Sequence, residues 1–398
     1  MLVTGIGAVP ALAANGSAAT PGPAGLSGVQ SATLVQSGRS VSWTVTLAHG
    51  ISPRGIRSAR RRLCLELEQP RTREVSEEVC LGVPAHGAGL ALTRTPSRGA
   101  QPPAMRPLPG TVTRSDGGRT ITASFVPTAV GLPYRPIRWQ VLSQAVGRGC
   151  PPTSVNGARR RLCMRTFPAQ HSPLVALHTP QLVGCTPAGP SLVYHGPTDR
   201  REVALSFDDG PWSDPPSIDF VSELKRLGVT GTFFEIGEQI SEFDPTGAVE
   251  RAMLADGDMI GNHTWTHPNM PTLSTAQQTA ELEQTNEAIR RATGFTPCLW
   301  RPPYGATSPA LEALARNLGM LTIMWNIDPR DWALPGTSQI VATVLQETQN
   351  GGITEMHFGG GPREETLDAL PQIVADLRAR GYRFVNLVQM LGLREIWR

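Results

Sequence analysis

Lysine is nearly missing from this 398-residue chain: Lys225 is the single example among 36 basic side chains. No Cys-x-x-Cys spacing occurs, which removes the usual ligand pattern of a zinc ribbon. No stretch reaches the ~18 uninterrupted apolar residues needed to cross a bilayer, so no stable membrane insertion is expected. A positively charged segment ahead of the first apolar run is also absent. That run, Gly5 to Ala14, ends in Ala11-Leu12-Ala13, a small-residue pattern of the kind cleaved after export. The expectation is a secreted or cell-wall-associated protein, whose leader is either incomplete at this start or simply apolar.

The charge that is present divides unevenly. Met1 to Cys185 holds twenty arginines against six acids, whereas Thr186 to Arg398 holds sixteen basic residues against twenty-seven acids. A basic half fits an anionic partner, and Arg-rich compositional drift would leave the same trace. The six cysteines suit an oxidising compartment and fall into three pairs: Cys64 with Cys80, Cys150 with Cys163, and Cys185 with Cys298. Spacing alone does not fix that connectivity. If formed, the two short loops would each contribute ~3 kcal/mol in the chain-entropy view.

The length points to two domains. Residues 1–28 read as an apolar leader and a Gly/Ala/Ser/Pro-rich linker. Over 29–168 the apolar residues recur every second position between turn residues, as in Ser40-Val41-Ser42-Trp43-Thr44-Val45-Thr46-Leu47. Alternation of this kind marks half-buried strands and an all-β, sandwich-like accessory domain. Ala59-Arg60-Arg61-Arg62-Leu63-Cys64 recurs as Ala158-Arg159-Arg160-Arg161-Leu162-Cys163. The two copies are either similar strands of two hairpins or two basic clusters for an anionic polymer. Residues 169–201 read as a connection.

From 202 to 398 the rhythm changes to short apolar strands alternating with helical spacing. Val203–Phe207, Thr232–Ile236, Asp258–Gly261, Leu299–Arg301, Leu321–Ile327, Ile353–His357 and Phe384–Leu387 read as strands. Helical patterns lie between most of them, at Ile218–Leu227, Ala248–Ala255, Thr275–Ala292, Ser308–Leu318, Ser338–Gln349 and Thr366–Arg380. Repeated strand-helix units make an α/β domain with a parallel sheet, and this many suggest a closed or nearly closed (β/α) barrel with its chemistry at the C-terminal strand ends.

The reactive residues cluster at those ends. The first strand runs into Asp208-Asp209-Gly210-Pro211, two adjacent carboxylates on a turning backbone. The third leads into His263-Thr264-Trp265-Thr266-His267, where two imidazoles four apart have metal-ligand spacing if the segment turns helically. Asp209 with this pair gives two nitrogens and one carboxylate, the open donor set of catalytic zinc. Further on come Arg301-Pro302-Pro303-Tyr304, Asp328-Pro329-Arg330-Asp331-Trp332 and Met356-His357. An arginine beside a carboxylate holds it ionised, and an aspartate bonded to a histidine fixes its tautomer and raises its pKa. Taken singly, His357 reads as structural, and Trp332 is divided between core packing and a substrate pocket.

The ordered set, Ser206-Phe-Asp-Asp-Gly-Pro211, His263-Thr-Trp-Thr-His267, Arg301-Pro-Pro-Tyr304, Asp328-Pro-Arg-Asp-Trp332 and Met356-His357, resembles the polysaccharide deacetylase family, also called NodB-homology or carbohydrate esterase family 4. The resemblance covers Val203 to Val388 only. It implies a distorted, incomplete (β/α) barrel and removal of acetyl groups from a polysaccharide. Asp208 is then the general base, held by Arg301. Asp209, His263 and His267 bind Zn2+ or another divalent ion such as Co2+, and His357, tuned by Asp331, is the general acid. Tyr304 contributes a backbone N–H to the oxyanion, and Trp332 and Met356 belong to the substrate-binding set. The implied partner is a polysaccharide and not nucleic acid. Export and the basic half favour peptidoglycan, with chitin oligomers and acetylxylan open, and a non-catalytic wall-binding protein of the same fold is the rival reading. Two residues depart from the pattern: Phe358 replaces an aspartate, which would loosen bonding around His357, and Glu355 replaces an apolar residue and is expected to face outward.

Overall fold

The computed structural model describes residues 28–57, 61–68, 70, 75–84, 89–96, 106–147, 150–155, 158–169 and 173–398. The expected leader and most of the linker, with Ala59-Arg60 of the first arginine run, lie outside the described residues. The chain divides into two compact units, one reaching Gln181 and including Arg398, the other Leu182–Trp397.

The first unit contains two antiparallel sheets. One has the order Val29–Ser37, Ser40–Leu47, Thr120–Phe125, Thr111–Ser115. The other runs Pro152–Val155, Ala158–Phe167, Ile137–Val146, Arg61–Glu68, Val75–Gly82, Ala91–Pro96, Arg106–Leu108. The period of two does its expected job: Val41, Trp43, Val45 and Leu47 are buried while their neighbours are not. Those side chains and Leu65, Val79, Trp139 and Val141 of the second sheet share one apolar core. Both copies of the arginine-leucine-cysteine repeat fall on strands flanking Ile137–Val146, with Cys64 opposite Leu142 and Cys163 opposite Ala145. Arg62 is engaged there by Glu78 at 2.6 Å and by Thr95. Arg161 donates to the Cys150 carbonyl.

All three cysteine pairs form as expected. Residues 169–201 are more than a connection. Leu174–Val175 joins the Ile137–Val146 strand, whereas Leu182–Thr186 pairs with Arg394–Trp397 and is tied to the second unit by Cys185–Cys298.

The second unit is α/β. Its parallel sheet runs Leu192–Val193, Leu321–Ile323, Leu299–Trp300, Met259–Asn262, Gly231–Glu235, Glu202–Gly210, with Gly352–Ile353, Met356–His357 and Arg383–Phe384 all pairing with Glu202–Gly210. Helices Ser217–Leu227, Ala248–Asp256, Thr275–Thr293, Pro309–Asn317, Thr337–Glu347 and Glu364–Ala379 lie within two residues of their expected limits. The longest is fixed at its start by a capping box, Ser274 with Gln277. Three expectations change. The strand expected over Leu321–Ile327 ends at Ile323. Phe384–Leu387 is a strand for only two residues, because the Asn386 side chain accepts the Gln389 N–H and starts a short helix, Leu387–Met390. Ile353–His357 breaks at Thr354 and Glu355 into two short strands.

Candidate active site

Strand Glu202–Gly210 is buried along its length and ends in Asp208 and Asp209. The backbone turns left-handed at Asp209 (φ 71°), which sends the two carboxylates apart. Asp208 is taken by Arg301: Nη1 donates to Oδ1 at 2.8 Å, and Nη2 reaches Ser206 Oγ at 2.8 Å. The guanidinium is fully buried, with its Cζ 4.3 Å from the Phe234 ring centroid. Burying it is tolerable because the charge is paired and hydrogen-bonded.

Asp209 faces the other way. Its Oδ1 lies 3.3 Å from His263 Nε2 and 3.2 Å from His267 Nε2. The expected helical turn between these histidines is not what joins them. The segment is a loop with left-handed residues at Thr264 (φ 70°) and His267 (φ 57°). The Asn262 carbonyl oxygen Oδ1 accepts the Thr264 N–H, and Glu281 accepts the N–H groups of Trp265 and Thr266. Asn262 could have been noticed beside His263. Glu281 gave no signal, sitting on a helix fourteen positions beyond His267.

The tautomers of both rings can be read from their partners. His263 Nδ1 is 2.8 Å from the Arg301 carbonyl oxygen, which can only accept, so Nδ1 carries the proton. Tyr304 Oη donates to the His267 carbonyl and accepts from His267 Nδ1 at 3.2 Å. With the rings neutral, both Nε2 lone pairs point at Asp209, whose buried Oδ1 has no hydrogen-bond partner among the described residues. Three bare acceptors converging without a hydrogen between them fit a divalent cation, and the N2O donor set suits zinc or a similar ion.

His357 lies close to both aspartates. Its Nδ1 donates to Asp331 Oδ1 at 2.7 Å and its backbone N–H to Asp331 Oδ2 at 2.8 Å, while Thr366 donates to the same Oδ2. Its Nε2 is 4.0 Å from Asp209 Oδ2. Burial lowers the imidazole pKa, yet the bond to Asp331 and its charge overcome this and raise it to about 9.

The rim carries Tyr304, 71% exposed with a positive φ of 59°, and Trp332, 48% exposed, with the Arg330 guanidinium 5.1 Å from the Trp332 ring centroid. Trp332 is thus not core packing. Met356, expected in the substrate-binding set, is fully buried in the apolar core. Strand alternation explains the correction: Met356 points inward where His357 points to the cleft. Phe358 leaves the His357–Asp331 bonding intact, because its ring is buried in an aromatic cluster, 4.9 Å from that of Phe233. The outward orientation expected of Glu355 is wrong. It is buried, and one of its carboxylate oxygens lies within 4.8 Å of ligand atoms of Asp208 and His357. Burial and the neighbouring Asp208 charge raise its carboxyl to about 8.

The Polysaccharide deacetylase family matches residues 195–323. A peptidoglycan-N-acetylglucosamine deacetylase of Bacillus cereus is 33% identical over 207 residues, spanning 50% of this chain and 92% of that protein. A chitooligosaccharide deacetylase of Rhizobium leguminosarum bv. trifolii is 32% identical over 203 residues, spanning 48% of this chain and 93% of that protein. A crystal structure of a peptidoglycan N-acetylglucosamine deacetylase is 30% identical and covers 51% of this chain and 93% of its own, with a TM-score of 0.49. The matched residues lie in the second unit, whose strands and helices are α/β. The chain belongs to the polysaccharide deacetylase family, the NodB-homology or carbohydrate esterase family 4 group.

Proposed function

We propose that this chain is a secreted, metal-dependent deacetylase that removes acetyl groups from the N-acetylated sugars of peptidoglycan. The observation that carries the reading is the convergence of Asp209, His263 and His267 on one point, with Asp208 and His357 close by. Asp209, His263 and His267 would hold a divalent ion, Zn2+ or Co2+, and when bound it supplies Lewis acidity toward the acyl oxygen and eases ionisation of water.

The chain's own residues do the rest. Arg301 pairs with Asp208 and aims it, and Asp208 takes the proton of the attacking water. The Tyr304 backbone N–H stabilises the charge developing on the acetamide oxygen. His357, held in one tautomer by Asp331, protonates the departing amine, and acetate is released. Trp332 forms a wall for the acetyl group. The alternation of strands and helices supports a distorted, incomplete barrel for this unit, and the core shared by two antiparallel sheets supports a sandwich for the first.

Peptidoglycan is favoured by the small-residue leader pattern and by the arginine-rich first unit, which would bind an anionic cell-wall polymer. Chitin oligomers carry the same N-acetylglucosamine chemistry and form the second reading. The test is acetate release from peptidoglycan, chitin oligomers and acetylxylan, each with and without chelator. Chelator-sensitive acetate from peptidoglycan is expected. No acetate from any of the three with metal restored would leave a wall-binding protein in its place.

A further inference from the structure

Thr264 and His267 both hold a left-handed backbone, at φ 70° and 57°. That region is disfavoured for a β-branched residue such as Thr264, so the loop keeps this path only while its surroundings impose it. Two anchors do so, and both lead to the helix Thr275–Thr293. Asn262 Oδ1 accepts the Thr264 N–H at 2.8 Å, while its Nδ2 donates to the Leu282 carbonyl and to Asn286 Oδ1. Glu281 Oε2 accepts the N–H groups of Trp265 at 2.7 Å and Thr266 at 2.8 Å, and its Oε1 accepts from Thr266 Oγ1 at 2.8 Å. Three donors from two adjacent residues thus close on a single carboxylate, between His263 and His267 in the chain. Successive N–H groups turned to one side make a cradle for an anion, and bonds to a charged acceptor are the stronger kind. Thr264 Oγ1 then accepts the His267 N–H at 3.1 Å, which carries the imposed path to the second imidazole.

We propose that Glu281 is a positioning residue that sets how tightly the divalent ion is held, by fixing the loop that places His267 against Asp209. This rests on the metal-dependent reading above. The three ligands are not equally supported. Asp209 stands on a strand, and His263 follows one directly, with its N–H on the Glu235 carbonyl and its ring on the Arg301 carbonyl. His267 lies outside any strand, and its ring partner, Tyr304, is itself exposed at the rim. Its place therefore depends on the loop, and the loop depends on Glu281. Asp208 and His357 are held by Arg301 and Asp331 instead, so loss of Glu281 should be felt in ion retention and little in the chemistry of the loaded protein.

The test compares Glu281→Ala, Glu281→Asp and Glu281→Gln with the exposed Glu283→Ala of the same helix, all in the full chain. Zinc affinity is read by competition with a chromophoric chelator, and acetate release from an N-acetylglucosamine oligomer is followed as zinc is added. Glu281→Ala should weaken zinc binding by about 10- to 100-fold, the usual effect of removing a group that orients a metal ligand. Gln keeps an acceptor oxygen for the two N–H groups and should recover most of the loss, and Glu283→Ala should change nothing. Glu281→Asp, one methylene short of the loop, should also bind zinc more weakly, and it carries the test if the Ala variant does not fold. At saturating zinc, kcat of the Glu281 variants should return close to that of the unaltered protein. A lowered melting point with zinc affinity intact would mark a merely structural contact and overturn the proposal, as would a kcat that stays depressed at saturating zinc. Absence of zinc binding by the unaltered protein overturns the metal-dependent reading itself, and this inference with it.

Discussion

His357 and Asp331 are joined twice, ring Nδ1 to one carboxylate oxygen and backbone N–H to the other. The pair fixes both the place of the imidazole and its tautomer, and leaves Nε2 turned toward Asp209. Asp331→Asn keeps the shape but removes the charge, so kcat should fall by roughly 10²–10⁴ with little change in KM. The alkaline limb of the rate profile should also move toward neutrality. The sign follows from the raised imidazole, set at about 9: the protonated acid dominates below that pH and is lost above it. Its contribution to stability is complete below the ordinary ~6.5 and disappears as pH rises through about 9. An unmoved alkaline limb in the Asn variant would refute this assignment.

His263→Ala, or Asp209→Asn, should lower bound zinc to a small fraction of one ion per chain and abolish acetate release. Metal analysis after dialysis measures the first effect directly. Chelation of the unaltered protein should give the same loss, reversed by Zn2+ or Co2+. Full metal content in both variants would place the ion elsewhere.

Arg301→Met should cost about 3–5 kcal/mol in denaturant unfolding, because Asp208 and Ser206 would be left buried without their donor. Arg301→Lys should recover little, since one ammonium cannot serve both with the fork geometry of a guanidinium. A Lys variant as stable as the original would contradict this account of the buried ion pair.

Restoring the family aspartate by Phe358→Asp should harm the protein. The new carboxylate would enter a fully buried cluster with Phe220 and Phe233, and the unfolding free energy should drop by at least about 3 kcal/mol. A variant with unchanged melting would mean that the side chain finds a polar exit.

Removal of residues 29–168 should weaken binding to whole cell-wall material while sparing turnover of soluble oligomers. Pull-down on insoluble wall polymer and acetate release from oligomers separate the two effects. Equal loss of both would contradict the division of labour.

Much of this site can be read from the chain itself, because the chemistry sits at strand ends and each end carries its own short motif. Asp208, Asp209, His263, His267, Arg301, Asp331 and His357 converge as the motif order implies. What stayed hidden depends on backbone path. Left-handed turns at Thr264 and His267, held by Asn262 and Glu281, bring the histidines together where a helix was expected. Met356 and Glu355 exchange core for cleft, because alternation puts Glu355 on the His357 side and Met356 on the other. Period and composition fixed the helices well, since long amphipathic segments declare their buried face. The two-residue strands had too few positions to do so.

Gly359 and Gly360 pass directly over Asp209, and a Cβ on Gly360 would lie 2.9 Å from Asp209 Oδ2. The three proposed ion ligands are all present once the chain reaches His267, but the backbone that roofs one of them comes about ninety positions later. A nascent or clipped chain ending before that roof would therefore own all three side chains and still leave Asp209 uncovered on that side, so closure over this carboxylate waits for the last strands to be laid down.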